Sequence, residues 1–209
     1  MLAPIIFGCV SESFLSTLYN PGFLLGNPNS SPAEIYFTSI VATNVSSAQV
    51  ESDNGGVTPN ISYDGRYAVF ASSSTNLVAG DTNGVSDIFL RDMKNGVTTR
   101  VSVDSGGLEA NGNSETPCVS EDGIYVAFAS DATNLVAGDT NGNKDIFLHN
   151  TLTGVTTRVS VDSVGTESNG VSWKTSITKD GRYIAFISDA TNLVAGDTNA
   201  NRDAFVHDA

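Results

Sequence analysis

The residues best suited to chemistry lie in one short loop that the sequence writes three times. Asp81, Asn83 and Asp87 recur as Asp139, Asn141 and Asp145, and again as Asp197, Asn199 and Asp203. Each set places a carboxylate and an amide two residues apart, with a second carboxylate four residues further on. Close-spaced oxygen donors suit a hard cation, and Ca2+ takes about six to eight oxygens, of which one loop supplies roughly three side-chain groups plus carbonyls. Calcium is therefore the candidate cofactor. The competing reading is an Asx network, in which the same side chains bind their own backbone and hold the turn.

Other residue types point to plainer roles. Asp64-Gly65, Asp122-Gly123 and Asp180-Gly181 put one turn acid in every repeat, as a tight hairpin requires and a catalytic acid does not. His149 and His207 share a repeat position that holds Arg91 in the first copy, which reads as a surface strand end rather than a metal pair. No Ser, His and acid are arranged for nucleophilic catalysis. Arg100 and Arg158 recur in Thr-Thr-Arg-Val-Ser, where an exposed ion pair with an adjacent repeat would contribute under about 1 kcal/mol. Trp173 is the one tryptophan and stands where the other copies have Val57 and Glu115. It is a weak candidate for partner binding, beside a gap-filling role.

These residues belong to a stretch of 27 that begins at Asp64, Asp122 and Asp180, a period of 58 residues. Sixteen of the 27 positions are identical in all three copies, which marks a repeat architecture. Each repeat contains four short runs rich in β-branched and aromatic residues. In the first they are residues 59–62, 67–72, 87–90 and 97–103. Asp-Gly and Asn-Gly turns join the outer pairs, and a longer Asn/Gly-rich connection joins the middle pair. No segment carries the 3.6-residue apolar period of an amphipathic helix. The pattern predicts an all-β protein of four-stranded antiparallel blades, with a core of Ile61, Phe70, Ile88 and Val101 and their copies.

The run Ser62-x-Asp64-Gly65-Arg66-Tyr67-x-x-Phe70, then Asp87-Ile88-Phe89-Leu90, then Thr98-Thr99-Arg100-Val101-Ser102, resembles the TolB-type WD-repeat-like β-propeller family of bacteria. The resemblance covers residues 57–209. It implies a propeller that serves as a binding platform in the periplasm or at the cell surface. The acidic loops are similar to part of the calcium-binding hairpin loops of integrin-type propellers. They start at that motif's second acid, with Ala79 in place of the first, and Ala200 replaces the glycine in the third copy.

Blades are expected at residues 57–103, 115–161 and 173–209 of a propeller region spanning 41–209. Residues 1–40 form a poorly assigned segment with a degenerate half blade. In it, Gly26 to Asn29 and Glu34 to Phe37 echo the repeats, and Thr43 to Ser46 would form a fourth strand. Propellers close with about four to eight blades, so three and a half make an open arc. The count favours a fragment of a longer protein over a ring of copies, and Thr43 to Ser46 is a strained candidate for closing the last blade.

Ten basic against 23 acidic residues give a net charge of −13, which repels nucleic acid and anionic membrane surfaces. No run is apolar enough to insert as a transmembrane helix. Cys9 and Cys118 lie in unrelated contexts, so no disulfide is expected. The first ten residues make a poor signal peptide, with a faint lipobox at Ile6 to Cys9. The expected function is a non-catalytic scaffold that binds a protein or peptide. The alternatives are a calcium-stabilised adhesion module and a propeller-borne hydrolase or lyase.

Overall fold

The computed structural model describes residues 52–199 and 201–209. The proposed half blade, Cys9 and the Thr43 to Ser46 strand lie outside them. Among the described residues, eleven strands form three antiparallel sheets. Blade 1 is β1 (Gly56–Ile61), β2 (Tyr67–Ser72), β3 (Asp87–Asp92) and β4 (Val97–Arg100). Blade 2 is β5 (Ser114–Val119), β6 (Tyr125–Ser130), β7 (Asp145–Asn150) and β8 (Thr156–Arg158). Blade 3 has β9 (Ser172–Ile177), β10 (Tyr183–Ser188) and β11 (Asp203–Asp208). Strands are paired in chain order within each sheet.

The first strands β1, β5 and β9 adjoin one another, and each sheet leans on the next. That is the radial packing of an all-β, incomplete propeller, with three blades in an open arc. Side chains alternate between the two flanking blades. Val69, Ala71, Ile88, Leu90 and Val101 of blade 1 share a buried cluster with Val119, Val126, Phe128 and Phe147 of blade 2. Ala127, Ala129, Ile146, Leu148 and Val159, on the other face of blade 2, pack against Ile184 and Phe186 of blade 3. A strand buried on both faces reads as a continuous apolar run, as 67–72 does.

Ile61 corrects the expected core. It is 60% exposed, whereas its copy Val119 is 7% exposed. Val119 packs against the blade before it, and no blade precedes β1 among the described residues. The fourth strands are also shorter than the sequence pattern. They leave the ladder after Arg100 and Arg158 because Ser102 and Ser160 turn their hydroxyls onto Asp87 and Asp145. The first strands start earlier than predicted and carry a bulge. Thr58, Thr116 and Lys174 take φ of 48°, 49° and 55° there, left-handed at the same repeat position.

The Asp-Gly turns do more than reverse the chain. Ser62 Oγ donates to Asp64 Oδ1 at 2.6 Å, and Arg66 N donates to the same oxygen at 3.0 Å. These bonds hold the Asp64 carboxyl below its usual range. Gly123 has φ +72°, and a Cβ there would lie 2.7 Å from the Tyr67 ring of the previous blade. Glycine serves both the turn and the blade contact.

Candidate functional site

The acidic loop connects β2 to β3 and folds back over the end of β4. Leu77, fully buried, anchors its start beside Phe70 and Phe89. Asp87 is the first residue of β3 and has no exposed side-chain surface. Asn83 Nδ2 donates to Asp87 Oδ2 at 2.7 Å and to the Ala110 carbonyl at 3.0 Å. Its Oδ1 accepts from Val85 N at 3.1 Å. The amide is thus spent on an Asx turn and on joining the loop to the link that leads to blade 2.

The space between the acids is taken by Arg100. Its Nη1 lies 2.9 Å from Glu109 Oε2, 3.3 Å from Asp81 Oδ1 and 3.5 Å from Asp87 Oδ2. The guanidinium side chain is 11% exposed. Glu109 also accepts from Thr82 N at 3.1 Å and from the Thr82 hydroxyl. Blade 2 repeats the arrangement. Arg158 Nη1 lies 2.8 Å from Glu167 Oε2, 3.2 Å from Asp139 Oδ1 and 3.6 Å from Asp145 Oδ2. Asp139 lies off the N–H direction, so both its oxygens are buried without a hydrogen bond and the contact is Coulombic.

Three carboxylates around one guanidinium leave a formal −2, and the pKa shifts follow. Burial pushes Asp81 up, the Asp87 charge adds to it, and Arg100 opposes. Asp139 is raised in the same way by burial and by Asp145, against Arg158. Asp87 is raised by burial, partly offset by its bonds from Ser102 and Asn83. Glu109 and Glu167 go the other way, lowered first by the Thr82 and Thr140 hydroxyls.

This geometry corrects two expectations. Arg100 and Arg158 are not exposed pairs with a neighbouring blade. Their side chains are only 11% and 10% exposed, and their acids come from the same blade's loop and the link beyond it. The loops Asp81, Asn83, Asp87 and Asp139, Asn141, Asp145 do not fit Ca2+, because a guanidinium stands where the cation would. Among the described residues, no group of three or more His, Cys, Asp or Glu has the geometry to hold a metal. Glu109 and Glu167 were missed in the sequence, although each sits nine residues after its arginine in both copies.

Blade 3 differs. Asn199 Nδ2 still donates to Asp203 Oδ2, at 3.3 Å, and Asn201 N to Asn199 Oδ1, at 2.7 Å. Among the described residues, no cationic side chain lies against Asp197 or Asp203. Asp197 Oδ2 is buried there without a hydrogen-bond partner.

The histidines are likewise not equivalent surface residues. His149 is 6% exposed, and its Nδ1 lies 2.8 Å from Thr156 Oγ1 on β8. Arg91 reaches the matching Thr98 hydroxyl at 3.1 Å. Burial lowers the His149 and His207 pKa values. Trp173, on β9, is half-buried beneath the Arg202 guanidinium, 4.2 Å from the ring centre, and Arg202 Nε also lies 3.2 Å from Asp189 Oδ1.

No family model matches the chain, and no curated protein does. Among solved structures, TolB from Acinetobacter baumannii is similar over 77% of this chain and 31% of its own, at 18% identity and a TM-score of 0.44. A putative TolB from Agrobacterium tumefaciens is similar over 72% of this chain and 50% of its own, at 18% identity and 0.43. An acylaminoacyl peptidase from Pyrococcus horikoshii is similar over 65% of this chain and 17% of its own, at 14% identity and 0.39. The chain therefore spans half or less of each protein's length. Such distant similarity is one of architecture, and the assignment of the fold rests on the sheets themselves.

Proposed function

We propose that the chain is a non-catalytic scaffold that binds a protein or peptide along a variable rim. The observation that carries this reading is where the blades differ. In blades 1 and 2 the loop acids and their arginine are consumed by one another, and the turn acids of all three blades are held by Ser62, Ser120 and Thr178. Residues that change from copy to copy gather beside the bulge of each first strand. Blade 1 has Val57, 60% exposed, and Ser86. Blade 2 has Glu115 paired with Lys144. Blade 3 has Trp173 under Arg202, with Lys174 exposed beside it. An invariant frame that presents an apolar, an ion-paired and an aromatic-cationic position in turn supports recognition of an extended ligand.

We place this scaffold in a bacterial periplasm or at the cell surface. The acidic, Lys-poor composition and the TolB-type motifs support that setting. Selection of peptides from a displayed random library on the immobilised chain tests the function. Enriched peptides should bind the Trp173→Ala and Glu115→Ala variants at least about tenfold more weakly. Peptides indifferent to both variants, or turnover of a selected peptide by the chain, would overturn the reading.

A further inference from the structure

We infer that the groove between blades 1 and 2, on the side of the Asp-Gly turns, binds a peptide segment of a protein partner in which a leucine-like side chain is flanked by cationic residues. The groove lies at the opposite end of the strands from the rim proposed above, and the inference stands without that reading.

The groove has a volume of about 400 Å3, and both blades beside it carry all four strands. Tyr67, Leu90 and Val97 line it from blade 1, and Gly123, Ile124 and Leu152 from blade 2. Thr151 N donates to Ile124 O at 2.7 Å and Thr151 Oγ1 to Gly123 O at 2.9 Å. These bonds join the Asp122-Gly123 turn and the β7–β8 hairpin into one wall. Leu152 is 77% exposed and Val97 is 44% exposed, so the lining is apolar and wet.

Blade 2 departs from its copies at this wall. Where it has Ile124 and Asn150, blade 1 has Arg66 and Asp92, and blade 3 has Arg182 and Asp208. Those arginines reach their aspartates at 3.0 Å and 2.7 Å and lie over Tyr67 and Tyr183, 4.6 Å and 5.0 Å from the ring centres. Leu152 likewise stands in place of Lys94. Blade 2 therefore has branched apolar side chains at positions where charge would keep the surface hydrated, and a partner's apolar side chain would remove them from water. Charge selects the flanks. The groove between blades 2 and 3 is lined by Arg158 and Arg182 against Asp180 and Asp208, and is balanced. The groove between blades 1 and 2 is lined by Asp92 and Asp122 and, among the described residues, by no cation. Asp92 is held by Arg66. Asp122 is exposed, and its Oδ1 accepts from Ser120 Oγ at 2.6 Å and from Ile124 N at 3.0 Å. Among the described residues no hydrogen bond reaches its Oδ2, which is an acceptor for a lysine or arginine beside the apolar lining.

The probe is the peptide acetyl-Lys-Leu-Lys amide, titrated into the full chain with methyl groups observed by NMR. It should shift the Ile124, Leu152 and Val97 methyls saturably and leave Val57 on the rim in place. Peptides with Glu for both lysines, or Gly for the leucine, should bind at least about tenfold more weakly. The double variant Ile124→Arg, Asn150→Asp gives blade 2 the ion pair that blades 1 and 3 carry. It should keep its melting temperature and lose at least about tenfold in affinity. Leu152→Lys, at an exposed site, should weaken binding likewise, whereas Trp173→Ala should not, which separates this site from the rim. Absence of saturable shifts, equal binding of the acidic or glycine peptide, or binding unchanged in both groove variants would overturn the inference. Shifts of the same methyls on concentrating the chain without peptide would assign the groove to a second copy and would also overturn it.

Discussion

Replacing Arg158 by alanine removes the only positive charge facing Asp139 and Asp145 among the described residues, whose side chains are 1% and 0% exposed. An exposed pair would lose at most about 1 kcal/mol. A buried cation that leaves its anions behind costs about 3–5 kcal/mol instead. For a chain of this size that is a fall in Tm of roughly 10 °C. The pH dependence gives an independent check. Asp139 is already raised by burial and by Asp145, with Arg158 pulling it down. Without the arginine it rises further. An acid with a folded pKa above its unfolded one takes up a proton on folding, so its penalty is largest at high pH and is relieved as pH falls through the folded value. The deficit of Arg158→Ala, read from urea midpoints, should therefore shrink as pH falls from neutrality into the acid range. Adding Asp145→Asn should recover more than half of the loss, because one buried charge goes with it. A loss under about 1 kcal/mol, or a deficit constant with pH, would refute the buried network.

Four further outcomes are expected. Gly123→Ala should cost about 1–3 kcal/mol more than Gly65→Ala in thermal melts, because both glycines have positive φ but only Gly123 has a tyrosine ring in the way. Leu135→Ala, at a site 1% exposed under the blade 2 loop, should cost about 2–5 kcal/mol, whereas Val206→Ser on the open edge should stay within about 0.5 kcal/mol. His149 is buried and its pKa is lowered, so it favours the folded state while neutral. That contribution is present above the ordinary value near 6.5 and is lost as pH falls below it, and His149→Gln should flatten this part of the stability profile. Millimolar Ca2+ should raise the melting temperature of Arg158→Ala by more than that of the unaltered chain, because the variant's acids lose their resident cation.

The blade pattern was legible because hairpins and strand alternation are local. Asp-Gly and Asn-Gly turns, apolar runs bounded by polar loops, and a 58-residue period all act over a few residues, and the three sheets follow them. The site was half legible. Asp81, Asn83 and Asp87 stood out by type and spacing, but oxygen spacing alone does not distinguish a metal seat from a guanidinium seat. What decided it was Arg100, 13 residues beyond Asp87, and Glu109, 22 residues beyond.

Residue order alone therefore determined how each blade folds, since every turn and strand signal in it is short-range. Tertiary structure alone decided which charges meet, which glycine lies under a tyrosine, and which copy of a repeated residue is buried. Ile61 and Val119 occupy the same place in their blades, yet only Val119 has a blade before it among the described residues. Burial and pairing depend on neighbours that the chain brings together across blades and links, and no local pattern of residue types records which neighbours those are.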